Sequence, residues 1–412
     1  MEKIMRISDV RRTHWLAPFL LAAPFYATAN PVLEWNDIAI KAAIASKQGP
    51  PMTSRSMAVV HSAVFDAVNA VKPKYQAFKF DGTASPNASV DAAAAAAAHT
   101  ALVKLFPEQR VTFDQALAAS LAKVPEGASR SDGVALGTAA ANTIISWCAD
   151  DRVGAATQYR PVTTPGAYIP TALPASHDIA LSRPWLLKSA DQFRPAAPPA
   201  LTSETWARDL NEIQRVGAKA STTRTPEQTQ VAQFWVITGA PAFNGVMRQA
   251  MEHRGLDTLE SARVAALVYM AFNDALVAVF DAKYTYQFWR PLTAVRNGDH
   301  YQNPAVKRDG GWLPLVDAPM HPEYPCAHCI SATTVGYVLQ SELGDSVGPL
   351  SMASPTLPGV TRRWTKVSEV VDEVSNARIW SGVHYRFSTE VAGKMGREIG
   401  QYAVKNYLQP LR

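Results

Sequence analysis

Residues 258–291, TLESARVAALVYMAFNDALVAVFDAKYTYQFWRP, decide the fold. Over 258–283 the apolar residues recur at helical spacing for several turns, which predicts a long helix. Residues 264–281 come closer than any other stretch to a membrane helix. Asn273, Asp274 and Asp281 interrupt them, so no membrane span is expected. Lys283 and Arg290 stand seven apart, which returns to nearly the same helix face, and Pro291 is expected to stop the helix there.

Working outward, residues 34–47, 54–72, 89–105, 110–123 and 129–150 carry the same periodicity, and Asp91 to His99 is alanine-rich. The stretch 152–202 holds eight prolines and little periodicity, and reads as a long irregular wrap over the helices. Helices are predicted again over 203–217, 226–238, 242–253 and 258–283, an irregular segment over 296–325, and helices over 327–343, 364–380 and 388–407. No strand pattern persists. The expected class is mainly α: helical bundles packed into one globular unit, with long irregular connecting segments. The expected organisation is an N-terminal helical region with the proline-rich wrap, 30–202, packed against a catalytic region, 203–412.

Residues 1–29 read as an export signal. Lys3, Arg6, Arg11 and Arg12 precede an apolar run from Trp15 to Tyr26, and Ala27-Thr28-Ala29 has the form of a cleavage site before Asn30. A periplasmic or secreted location follows as the expectation. The formal charge of +5 over 412 residues is only mildly basic, and no Lys/Arg cluster of nucleic-acid type stands out. With three cysteines, the chain is not expected to rest on a disulfide framework. Cys326-x-x-Cys329 has the spacing of a redox pair, but nothing nearby resembles a thioredoxin unit, and a zinc site lacks a second ligand pair.

Three segments carry the chemistry: Lys283-x6-Arg290-Pro291, Pro325-Cys326-Ala327-His328 and Arg378-x3-Gly382-x-His384. A lysine and two arginines offer fixed positive charge and many N–H donors, which suits a tetrahedral oxyanion. Pro325-Cys326-Ala327-His328 precedes a helical run, so backbone N–H groups and His328 are expected to face the same anion. Arg378 and His384 do not share a helix face, and Gly382 is expected to turn the chain between them.

The order of these segments resembles the superfamily shared by type 2 phosphatidic acid phosphatases and vanadium-dependent haloperoxidases. The wording of 281–291, of His321-Pro-Glu-Tyr-Pro and of Gly382-Val-His-Tyr-Arg-Phe is similar to its bacterial haloperoxidase-like branch. His61 to Asn69 and Gln192-Phe193-Arg194-Pro195 add to the likeness. The resemblance implies a mainly α fold. It implies that His384 bonds the central atom, as vanadate ligand or as phosphatase nucleophile, and that His328 is the acid–base partner. Lys283, Arg290 and Arg378 would hold the oxyanion, with the Ala327 N–H and Cys326 beside them, and Lys283 would polarise peroxide.

Two departures stand out. Cys326 replaces the family's usual serine, and a thiol there would be a weaker donor and open to oxidation. Ser388 stands where an aspartate commonly orients the histidine, with Glu390 as a possible substitute. The leading expectation is a vanadate-dependent, haloperoxidase-like enzyme acting on peroxide, halide and a small organic molecule. The alternatives are a soluble phosphomonoesterase, working on phosphate esters without a cofactor, and a non-catalytic oxyanion-binding protein.

Overall fold

The computed structural model describes residues 30–412 except 155, 157, 158, 301 and 302. The segment read as an export signal, 1–29, lies outside the described residues. Among those described, the chain is mainly α. In order come α1 (Pro31–Ala45), α2 (Pro50–Val71), α3 (Val90–Leu105), α4 (Arg110–Leu121), α5 (Ala128–Trp147) and the short α6 (His177–Ala180). There follow α7 (Glu204–Val216), α8 (Pro226–Phe234), α9 (Pro241–Arg254), α10 (Thr258–Tyr286), α11 (Pro291–Arg296) and α12 (Ala327–Leu343). A small antiparallel hairpin, β1 (Leu350–Ala353) with β2 (Thr361–Trp364), precedes α13 (Val367–Trp380) and α14 (Arg386–Asn406).

Local chemistry sets the helix starts. Asp257 caps α10 and Thr225 caps α8, each reciprocated by the third residue of its helix, Glu260 and Gln228. The alanine run of α3 presents almost no side-chain bulk, so α5 packs against it closely. A β-carbon on Gly137 would lie 2.2 Å from the Ala93 carbonyl oxygen.

Helix α10 is the axis. It packs on α2 from one side and on α12 from the other, and is buried on nearly every face. It is long and apolar enough to cross a membrane, yet neighbouring helices cover it. One cluster of buried apolar side chains runs from Val32 to Leu408, joining the N-terminal and C-terminal helices.

The wrap is tied down by acids on α10. The carboxylate of Asp274, buried, accepts from the amides of Trp185, Leu186 and Leu187 at 2.7, 2.6 and 2.8 Å. Asp281 holds Arg194 through paired bonds of 2.7 and 2.8 Å. Tyr324 donates to the Ala196 carbonyl at 2.8 Å, fastening the wrap to the loop that carries His321 and Glu323.

The helix of 258–283 ends differently from the expectation. α10 continues to Tyr286 and closes on Gln287 in the left-handed conformation. Pro291 does not stop it. Proline has no N–H to lose in a first turn, so Pro291 instead begins α11, with Arg290 as the N-cap.

Candidate active site

Six pieces of backbone converge: the end of α10, the start of α11, the loop 319–325, the first turn of α12, the last turn of α13 and the bend before α14. Gly382 makes the bend with φ +81°, and a β-carbon there would lie 2.4 Å from the Gly217 carbonyl oxygen. The turn lets the His384 amide bond the Arg378 carbonyl at 3.3 Å, so the helix-end arginine and the histidine after it are held together.

His384 is clamped from both sides. Arg290 NH1 lies 3.2 Å from its Nε2, and Glu323 Oε1 lies 2.7 Å from its Nδ1. A guanidinium only donates, so Nε2 is the acceptor and the ring hydrogen sits on Nδ1, bonded to the carboxylate. Arg290 also donates to the carbonyls of His321 and Val383 at 2.9 and 3.0 Å. Its NH2 lies 3.0 Å from His321 Nδ1, which also lies 3.1 Å from the Pro322 carbonyl. His328, in the first turn of α12, has Nε2 3.2 Å from the Ile237 carbonyl. It donates there, which leaves Nδ1 with its lone pair.

Arg378 gives NH1 to the Trp235 carbonyl at 3.0 Å, while its buried Nε has no partner among the described residues. Within the first turn of α12, the Cys329 amide reaches Cys326 Sγ and the Ile330 amide reaches the Cys326 carbonyl. The Ala327 and His328 N–H groups come before these and have no acceptor within the helix. His321, Ala327, His328, Ser331, Arg378 and His384 share the wall of one cavity of about 240 Å³. The rest of that wall is mostly apolar and includes Pro50 and Pro51 of α2, Phe243 of α9, and Leu276 and Phe280 of α10.

Charge defines what the site wants. Lys283, Arg290 and Arg378 are at most 3% exposed, and Glu323 is the carboxylate buried among them. Burial pushes Arg290 down to about 10 against the pull of Glu323, and burial with repulsion from Arg290 pushes Arg378 to about 9 and Lys283 well below its usual value. The same burial and the nearby cations hold His321, His328 and His384 well below the ordinary histidine value, so the rings are neutral. Burial raises Glu323 to about 7 against the pull of Lys283 and Arg290. Cations in excess, an orphaned guanidinium N–H, free helix-start amides and an imidazole lone pair together fit a tetrahedral oxyanion.

Two residues depart from their expected parts. Lys283 Nζ donates to the carbonyls of Pro322 and Glu323 at 3.0 and 2.7 Å and also to that of Pro325. An ammonium has three hydrogens, so Lys283 lends the site charge and has no N–H left to hold or polarise a ligand. Cys326 forms a disulfide with Cys329, so it has no S–H to donate and no thiolate to repel an anion. That bond overturns the expectation of a thiol at Cys326. Ser388 and Glu390 divide as well. Glu390 is exposed, whereas Glu323 is the acid on His384. Sequence reasoning quoted His321-Pro-Glu-Tyr-Pro but gave neither His321 nor Glu323 a part in the site.

Residues 263–412 match the family model of the VCPO second helical-bundle domain. That match covers the C-terminal part of the chain and makes it similar to vanadium chloroperoxidases. Vanadium chloroperoxidase of Curvularia inaequalis is 24% identical, over 88% of this chain and 80% of that one. The crystal structure of the first bacterial vanadium-dependent iodoperoxidase superposes with a TM-score of 0.79 at 23% identity, covering 94% of this chain and 99% of that one. An apo-type bacterial vanadium-dependent chloroperoxidase gives 0.71 at 17% identity, over 87% and 95% of the two chains.

Proposed function

We propose that the chain is a vanadate-dependent haloperoxidase-like enzyme that uses peroxide to oxidise a halide. The observation carrying this is the buried cluster of Lys283, Arg290 and Arg378 around the Nε2 lone pair of His384, which Arg290 NH1 holds, within a fold shared with vanadium haloperoxidases. Vanadate would be held by His384 Nε2, by Arg290 and Arg378, and by the amides of Ala327 and His328, with Lys283 contributing charge alone. Bound there, vanadate supplies a Lewis acid that activates peroxide toward halide without changing oxidation state. Overall, peroxide, halide and one proton give hypohalous acid and water.

The protein's own part is binding and proton handling. Arg290 yields its contact with Nε2 as the anion arrives and turns the same N–H to an oxygen. Glu323 keeps the His384 hydrogen on Nδ1. His328 Nδ1 takes a proton from the incoming peroxide and returns it to the departing oxygen. An anion beside His328 favours its charged form, so its acid strength is set by occupancy. The apolar wall limits water and receives a small organic acceptor. The export expected from residues 1–29 belongs to this proposal, as does an extracytoplasmic supply of peroxide.

A second reading, phosphomonoester hydrolysis, is favoured by the His384–Glu323 pair and by the occupied donors of Lys283. Here His384 Nε2 attacks phosphorus, the ester P–O bond breaks, and His328 protonates the leaving oxygen. Water then cleaves the phosphohistidine. Metal analysis of native protein, with paired peroxidase and phosphatase assays, separates the two. Halide- and vanadate-dependent oxidation of a phenolic dye supports the first reading. No turnover at saturating vanadate sinks it, and phosphate trapped on His384 supports the second.

A further inference from the structure

Ser388 stands four residues after His384, where the family commonly places the orienting aspartate. Its hydroxyl is buried and makes no hydrogen bond of normal geometry among the described residues. It lies close enough to Glu323 to favour that carboxylate's charged form. Glu323 therefore reaches the neighbourhood of the missing acid from another direction, a loop 61 residues earlier in the chain. Oε1 bonds His384 Nδ1 at 2.7 Å and accepts the Tyr385 amide at 3.2 Å, while Oε2 is buried without a partner among the described residues.

The loop is not free to swing away. Lys283 grips the carbonyls of Pro322, Glu323 and Pro325, on both sides of the glutamate and on the glutamate itself. Arg290 holds the carbonyl of His321 and bonds His384 Nε2 with the same guanidinium. The Glu323 carboxylate is thus aimed by two buried cations at one nitrogen of one ring.

We infer that Glu323 is the positioning residue of this site: it fixes His384 as the Nδ1–H tautomer and stands in for the acid that Ser388 has replaced. This rests on the reading of His384 Nε2 as the atom that bonds vanadium or phosphorus. Without Glu323 only the Arg290 N–H opposes a hydrogen on Nε2, and once that N–H turns to a bound anion the ring can place its hydrogen there, losing the electron pair needed for either bond. The cradle of Arg290, Arg378 and helix-start amides would stay in place, so binding and reactivity separate.

The test begins with the unaltered protein, ¹⁵N-labelled at histidine. Its long-range ¹H–¹⁵N spectrum should show His384 with a protonated Nδ1 and a bare Nε2, and a protonated Nε2 overturns the inference. Glu323→Gln should then hold inorganic phosphate within a few-fold of the parent by calorimetry, give a mixed or Nε2–H tautomer with phosphate bound, and lose at least a hundredfold in kcat. Glu323→Gln combined with Ser388→Asp should restore the Nδ1–H signature and at least a tenth of the rate. A folded Glu323→Gln that keeps the parental tautomer with phosphate bound, or a folded double variant that restores neither signal, refutes the role. If Glu323→Gln fails to fold, the unaltered protein and Ser388→Asp alone still decide. With Ser388→Asp, the Nδ1 proton resonance must move as a second acid joins the pair, and an unmoved resonance counts against the inference. Absence of all turnover in the parent would defeat the proposed function while leaving the tautomer result to stand.

Discussion

Arg290 NH1 sits 3.2 Å from His384 Nε2, so a buried cation guards the one lone pair on which bonding to a central atom depends. A ligand has to take over that N–H before it reaches the ring. The planar fork that spans His384, His321 and three backbone carbonyls is specific to a guanidinium. Arg290→Lys should weaken vanadate binding roughly ten- to hundredfold, the value of one or two charge-assisted hydrogen bonds at about 1.5–3 kcal/mol. Calorimetric titration checks this, and unchanged affinity would place the anion elsewhere.

Protons should follow the anion. The rings of His328 and His384 are neutral because burial and nearby cations oppose their charge. An oxyanion supplies the missing opposite charge, so binding should take up protons, and affinity should rise as pH falls from about 8 to about 5. Sulfate is the probe, because its own charge is constant over that range. Titrations in two buffers of different ionisation enthalpy measure the uptake. Uptake of none would show that neither ring feels the guest.

Lys283 predicts a stability effect more than a binding effect. Lys283→Met strands the carbonyls of Pro322, Glu323 and Pro325 in a dry interior. Each buried unsatisfied group costs about 1–3 kcal/mol, so the urea midpoint should fall clearly. Affinity for phosphate, measured on the folded fraction, should fall less than in Arg378→Gln. Arg378 carries the unpartnered Nε.

Far from the site, His61 is buried in α2, 2.9 Å from the Asn36 side chain and stacked on Tyr269. Burial lowers it from 6.5 to about 3. Its folded value lies below its unfolded one, so the unfolded chain binds the proton more tightly. The stability it contributes is present above about 6.5 and is lost as pH falls from there toward 3. Between pH 7 and pH 5 the loss from this one group is about 2 kcal/mol. His61→Gln should remove that part of the acid sensitivity, read from urea unfolding at the two pH values.

The Cys326–Cys329 bond gives a direct chemical count. Denatured, unreduced protein should react with one equivalent of iodoacetamide, at Cys148, and with three after reduction. Three equivalents without reduction would restore a thiol to the anion pocket.

Much of this was legible in the chain, for reasons that are local. Thr225-Pro226 and the period of 258–283 mark helices whose caps and apolar faces lie within a few residues of one another, and α8 and α10 begin where those signals stand. The basic and histidine residues of the site were legible as types in an order. What they bond was not. Lys283 could be read as a charge, but nothing in 283–291 says that three carbonyls of 322–325 absorb its hydrogens. Glu323 meets His384 across 61 residues, a pairing that no short-range pattern records. The hairpin of β1 and β2 is four residues a side, too short for alternation to register.

The charged and titrating groups of the site, from Lys283 to His384, all fall inside the 263–412 segment that matches the family model. Pro50, Pro51, Ala175, Val236 and Phe243, which shape the space in front of them, all fall outside it. Substitutions in those earlier residues can resize the doorway without touching any group that handles charge. A change at Pro50, Pro51 or Phe243 therefore alters which guests fit and leaves the charged groups as they are, while Leu276 and Phe280 shape the same space from within the matched segment.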